Sequence, residues 1–312
     1  MRNENAAGYS DGMRKHWALR IEWPTVALAV AVYGLWGGLT WFHAALPWWV
    51  LLPLGGWAVA WQASLQHEVM HGHPTRWCWV NDAIGSPPLA LWLPYARYRT
   101  LHLRHHREQY LTDPLEDPES QYWTSPDWAA LNRPQRWVVR ICARFAGRML
   151  LGPVWGIYRF LRREWRKLRD DKAGVRRAWL LTLPWLAAVL AWLFVLCRVP
   201  VLVYLSCFVL PGTALMMVRS FAEHRAATEV AHRTAIVERA PVLGLLFLFN
   251  NLHVVHHDRP SVAWYRLPGI YRRERDRLIA KNGGLVYRGY FDVIRRFLWH
   301  PHDASLHPAY RE

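Results

Sequence analysis

The chain has 312 residues, 53% of them apolar, with 21 tryptophans and a formal charge of +16. Apolar content beside such positive charge implies segregation into apolar spans and basic loops. Anionic lipid is then a better partner for the Lys and Arg than nucleic acid, which is excluded as a partner. The four cysteines form no Cys-x-x-Cys pair and no disulfide framework.

The N-terminal "MRNENAAGYSDGMRKHW" is polar and has no cleavable signal. Apolar runs then follow at 24–46 and 47–66, linked too tightly at Pro47 for anything but a hairpin. A second hairpin is expected from 178–197 and 200–218, joined at "RVP". Each run approaches the ~20 residues that span a bilayer. The chain therefore reads as one all-α integral membrane domain over residues 1–312, with four transmembrane helices in two hairpins. Residues 67–177 and 219–312 form a helical cap. Arg14, Lys15 and Arg20, the Arg-dense 97–177 and "YRRERDR" (271–277) place both termini and the cap in the cytoplasm. Trp23, Trp48 and Trp49 fit an interfacial belt. The runs 84–95 and 240–253 are too short to span and read as interfacial or re-entrant pieces.

The second run leads into "HEVMHGH" (67–73), which fits two templates. As H-E-x-x-H it is a zinc protease helix with Glu68 as general base. As H-x-x-x-H it is one part of a larger cage. Two further clusters decide between them. His102, His105 and His106 follow an H-x-x-H-H pattern, and His253, His256 and His257 repeat it. Eight clustered imidazoles exceed what one metal can use, whereas two metals with about four each fit the count. His224, beyond the fourth run, mirrors His67 beyond the second and is a candidate ninth ligand. His73 takes at most a supporting role. A membrane zinc protease would leave both triplets idle, and the runs at 178–218 hold no Asp for its third ligand. A carboxylate di-iron bundle would need Glu as the dominant ligand.

H-x-x-x-H, H-x-x-H-H and H-x-x-H-H in that order on four spans resemble the membrane fatty acid desaturase superfamily, roughly from Trp23 to Pro268. The surroundings "HLRHHREQYLTDPLEDPES", "RSFAEHRA" and "NNLHVVHHDRP" are similar to bacterial members, which implies a bacterial inner membrane. The resemblance implies two Fe ions held by the box histidines and O₂ as co-substrate. It also implies a lipid or acyl substrate, with desaturation ahead of hydroxylation, ketolation or decarboxylation. In acyl-CoA desaturases a His before the third box corresponds to His224. Ser220 stands where those enzymes carry an Asn that holds a metal-bound water.

Carboxylates should orient the imidazoles through their other nitrogen. Glu68, Asp113, Asp117, Glu223 and Asp258 are the candidates, with Asn250 and Asn251 beside the third box. The chain has no H-P-G-G haem site, no G-x-G-x-x-G and no Cys-rich cluster site, so electrons are expected from an external ferredoxin, rubredoxin or cytochrome-type donor.

Overall fold

The computed structural model describes residues 21–310 apart from residue 173. Arg14, Lys15, Arg20 and His16 lie outside the described residues. Four long helices organise the rest. Helix α1 (Trp23–Trp41) ends where Phe42 leaves helical geometry, and a short 3₁₀ turn (His43–Ala45) completes the first apolar run. Helix α2 (Trp48–Met70) starts after Pro47 and runs four residues beyond the expected end, so that His67 is helical and His71 is its C-cap.

After α3 (Cys78–Gly85) and α4 (Tyr95–His105), shorter helices α5 (Ser125–Ala129), α6 (Arg133–Cys142) and α7 (Phe145–Leu150) lead to α8 (Gly152–Arg169). The second pair of long helices is α9 (Val175–Leu196) and α10 (Val201–Glu223). Each contains a π-helical stretch, at Ala191–Leu196 and Leu205–Val209.

Among the described residues, α1, α9 and α10 are long and apolar enough to cross a membrane. Helix α2 has the length, at 23 residues, but its tryptophans, glycines, Gln62 and Gln66 dilute its apolarity. Its second half is buried inside the protein. Four spans were expected, and three meet the criterion.

Helix α2 packs between α1 and α10, and glycine sets the closeness of the second contact. A Cβ on Gly55 would lie 2.6 Å from the Cys207 carbonyl, and one on Gly212 would lie 2.7 Å from Val59. Small residues that let backbones approach in this way are a general device for packing apolar helices.

The stretch between α3 and α4 is non-helical yet buried, with Leu89 in the same core as Trp36, Val59 and Phe208. Its carbonyls are satisfied from the helices. Gln66 Nε2 donates to Gly85 O and Gln62 Nε2 to Pro87 O (both 2.8 Å), and Tyr204 Oη donates to Leu89 O (2.7 Å). Irregular backbone in apolar surroundings is tolerated only with such partners.

The helices that carry the second and third boxes are fixed by polar contacts. Arg97 on α4 makes a two-pronged ion pair with Glu164 on α8 (2.6 and 2.9 Å). A two-residue parallel pairing joins β1 (Ile236–Val237) to β2 (Val286–Tyr287), with Ile236 opposite Val286. Asn251 clasps β1, its Nδ2 donating to Val237 O (2.6 Å) while Val237 N donates to Asn251 O. Helix α11 (Pro241–Leu246) precedes this turn and α12 (His253–Asp258) follows it. Leu248 and Phe249 sit at left-handed φ of 50° and 57°, reversing the chain just ahead of the third box. Helices α13 (Leu267–Lys281) and α14 (Tyr290–Phe297) complete the chain.

Candidate metal centre

All nine expected histidines converge. Their side-chain nitrogens form two groups, each with its atoms within 4.8 Å of one another. The first contains His67, His71, His102, His106 and His256, and the second His105, His224, His253 and His257.

The partition follows from helix geometry. On a helix of 3.6 residues per turn, the residues at i+3 and i+4 flank residue i on opposite sides, about 100° from each other, so adjacent residues diverge while i and i+4 stay close. On α4, His102 and His106 therefore enter the first group and His105 the second. On α12, His253 and His257 enter the second group and His256 the first. Each H-x-x-H-H box serves both groups, in opposite proportion.

The nitrogens face each other closely. His105 Nε2 lies 3.0 Å from His224 Nε2, His253 Nε2 2.9 Å from His224 Nε2, and His257 Nε2 3.1 Å from His253 Nε2. In the first group, His106 Nε2 is 2.9 Å from His102 Nε2 and 3.0 Å from His256 Nε2. His67 Nε2 and His71 Nε2 are buried without a hydrogen-bond partner among the described residues.

The opposite edges of several rings are held by acceptors. His102 Nδ1 donates to Glu119 (2.9 Å), His105 Nδ1 to Asp117 (2.9 Å) and His253 Nδ1 to Asn250 Oδ1 (3.1 Å). His224 Nδ1 donates to the Arg233 carbonyl (3.2 Å). A neutral imidazole that donates from Nδ1 presents a lone pair at Nε2. Lone pairs then face lone pairs across about 3 Å, an arrangement that only a cation between them makes favourable. The donor set thus fits two metal ions of the kind imidazole binds, iron included.

Electrostatics agree for most members. Burial, with neighbouring histidines, holds His224, His253, His256 and His257 well below the usual imidazole value, and pulls His106 down to about 3. These rings stay neutral near pH 7, the form that coordinates a metal. His105 goes the other way. Burial lowers it, but the carboxylates of Glu119, Asp117 and Glu223 outweigh burial and raise it to about 9. A cation at its Nε2 would take the place of that proton.

The other candidates divide. Asp117 contacts His105, and Glu223 approaches His253 Nδ1 (3.4 Å) while accepting from Asn250 Nδ2. Asp113 instead accepts from the main chain at Leu115 and from Tyr310 Oη, so it orders its own loop. Asp258 pairs with Arg277 and Lys281 on α13. Asn251 serves β1. None of these three touches an imidazole of either group, contrary to expectation.

Glu68 also turns away from both groups. It accepts from Trp264 N (3.0 Å) and lies 3.8 Å from His73 Nε2, while His73 Nδ1 meets Glu22 (2.8 Å). A base between its two zinc ligands is not what this geometry offers.

Two residues escaped the sequence reading. Glu119 holds His102, yet it lies 17 positions downstream in an irregular loop. The available signal was its place in "EDPES", two residues after Asp117. Arg219 was also missed; it supports the site from α10 by pairing with Glu223 (2.9 Å).

A cavity of about 710 Å³ opens beside the second group. His224, Glu223, Ser220 and Glu119 line it together with apolar Trp92, Phe160, Met216 and Met217. That volume is in the range of small-molecule sites.

The family model described as fatty acid desaturase matches residues 44–291, and the chain belongs to that family. No curated protein matches the chain as a relative. The matched region contains all nine histidines of the two groups. Membership makes the protein an oxidoreductase of a di-iron enzyme type.

Proposed function

We propose that this desaturase-family protein spans a membrane four times as one domain and oxidises an unactivated C–H bond of a lipid acyl chain. Desaturation is the leading reaction, with two irons and O₂. The observation that carries the reading is the division of nine histidines into a group of five and a group of four.

The five-histidine group would hold one iron and the four-histidine group, with His224, the other. Two irons bound there would activate O₂ and supply the oxidising power that no side chain possesses. The protein does the rest. Glu119, Asp117 and Asn250 fix the rings of His102, His105 and His253 through Nδ1, so that each Nε2 points inward. Trp92, Phe160, Met216 and Met217 offer an acyl chain an apolar wall beside His224 and exclude water from it. Ser220 lies on that wall one turn before His224 and leaves room where a longer amide would project.

Removing two hydrogens from an acyl chain with one O₂ consumes two further electrons and two protons and yields two waters. The electrons would come from an external carrier, which the Arg-rich cytoplasmic face would steer if that carrier is acidic. Cytoplasmic termini and a bacterial inner membrane complete the proposal.

Lipid mass spectrometry after expression with a donor system tests the reaction. Loss of two mass units supports desaturation, and a gain of sixteen supports the hydroxylase alternative. Zinc at one equivalent with no iron in purified protein would overturn both.

A further inference from the structure

Residues 301–310 lie beyond the stretch that the family model matches and run beside the loop of 111–123. Trp123 N donates to Ser305 O (2.9 Å) and His307 N to Trp123 O (3.1 Å), a parallel bridge opposite Leu306. Both ends of the segment are fixed. His302 N donates to Ala143 O (2.8 Å), and Ser125 Oγ donates to Tyr310 O (2.6 Å). The same segment supplies Asp303 and Ser305 to the wall of the cavity that His224 lines.

Two hydrogen-bond chains lead from this segment to the four-histidine group. The first starts at His307, which is buried. His307 Nδ1 accepts from Ala309 N (3.2 Å), so the neutral ring carries its proton on Nε2 and donates to Thr112 Oγ1 (3.2 Å). Thr112 N donates to Asp117 Oδ2 (2.9 Å), and Asp117 Oδ1 accepts from His105 Nδ1 (2.9 Å). The second starts at Asp303. Its carboxylate accepts from Tyr122 Oη, which in turn accepts from Ala226 N (2.8 Å), two residues after His224. Asp303 also lies 3.9 Å from the Nε of Arg225, the intervening residue.

Thr112 has a φ of 70°. A β-branched residue seldom adopts the left-handed region, and such a backbone persists only where its surroundings over-determine it. Here Asp117 takes the N–H, Ser120 Oγ donates to the carbonyl (2.7 Å) and His307 holds the side chain. Loss of His307 removes the side-chain anchor. Relaxation of Thr112 toward negative φ then turns its N–H away from Asp117, and the carboxylate that fixes His105 is free to rotate.

We infer that residues 301–310 form a strap that sets the four-histidine group, with His307 a positioning residue for His105 and Asp303 one for His224. That role presupposes the two-metal reading above, whichever reaction the centre performs. Both chains end at the pair whose Nε2 atoms stand 3.0 Å apart. The five-histidine group has a weaker link: Glu119, which holds His102, donates from its N to Asp117 Oδ1 (2.9 Å). The four-histidine group should therefore lose its metal first when the strap is loosened.

The test uses the full-length, iron-loaded protein in lipid nanodiscs. Iron is counted by elemental analysis during dialysis against a chelator, without turnover. His307→Ala with Asp303→Ala should weaken iron retention by roughly tenfold, the low end for loss of a contact that orients a ligand. Two backgrounds assign the loss to a group. In His256→Ala the remaining iron sits in the four-histidine group, and the strap substitutions should release it. In His224→Ala the remaining iron sits in the other group, and they should change little. A merely structural role would release iron from both backgrounds alike. His307→Gln, whose amide can still donate to Thr112 Oγ1, should restore part of the retention and separates the lost contact from lost folding.

Unchanged retention in the doubly substituted protein, or equal release from the two backgrounds, would overturn the inference and leave the two-metal reading standing. Unaltered protein that takes up one metal or none would sink the two-metal reading and the strap's role with it.

Discussion

His105 and His224, 119 positions apart in the chain, bring their Nε2 atoms to 3.0 Å from each other. His105 Nδ1 is tied to Asp117 and His224 Nδ1 to the Arg233 carbonyl, so neither ring can rotate freely to relieve that contact. His224→Ala should therefore empty the four-histidine group selectively. The purified variant should hold roughly half the iron of the unaltered protein by elemental analysis, given one metal per group. His256→Ala should deplete the other group to a similar extent. Both should still insert into membranes and lose turnover.

Glu119→Gln removes the carboxylate that orients His102. Loss of such a partner weakens metal affinity by roughly 10–100-fold. Competition with a graded series of chelators should show the drop. Asp113→Asn, whose carboxylate serves its own loop, should leave iron retention as it was.

Glu68→Gln separates the two readings of the first box. The amide oxygen can still accept from Trp264 N, so lipid oxidation should persist within a few-fold. A protease that used Glu68 as its base would lose all cleavage in this variant. Turnover and proteolysis assays on one preparation make the comparison.

The Arg97–Glu164 pair should contribute to stability with a defined pH dependence. Burial alone would raise the Glu164 carboxyl, but Arg97, Lys167 and Trp179 outweigh it and lower it below the usual range. A depressed carboxylate stabilises the fold above its unfolded value, ~4.3, and that contribution fades as pH falls through the folded value. Arg97→Met leaves a buried carboxylate unpaired, a change that typically costs about 3–5 kcal/mol. Its melting-temperature deficit should be largest near neutral pH and should narrow below about pH 4.

Gly55→Val places a side chain where the Cys207 carbonyl already lies 2.6 Å from a bare Cβ. Forcing α2 away from α10 should lower the melting temperature by an amount equivalent to about 1–3 kcal/mol. The shift would be read by fluorescence-detected unfolding in detergent.

The histidines were fully legible because helix periodicity and metal chemistry both act on short stretches of chain. The orienting groups were legible only in part. Asp113, Asp117 and Glu119 lie in one irregular acidic loop, and no period says which of them returns to α4. Asp258 abuts the third box in sequence, but Arg277 and Lys281 of α13 claim it, a long-range pairing that local pattern cannot show. The apolar runs marked all four long helices. Three of them, α1, α9 and α10, are apolar enough to cross a membrane by composition alone, whereas α2 carries Gln62, Gln66, His67 and Glu68 in its buried half.

The crosswise sharing of the two boxes has a mechanical consequence. His105 and His106 are chain neighbours that serve different groups, and so are His256 and His257. Adjacent Cα atoms stand about 3.8 Å apart across a trans peptide. The gap between the two groups is therefore gauged by covalent geometry, once from α4 and once from α12. Either helix can shift in its bed without changing that gauge. A shift of α4 or α12 therefore carries members of both groups together, whereas a shift of α2, which holds His67 and His71, acts on the first group alone.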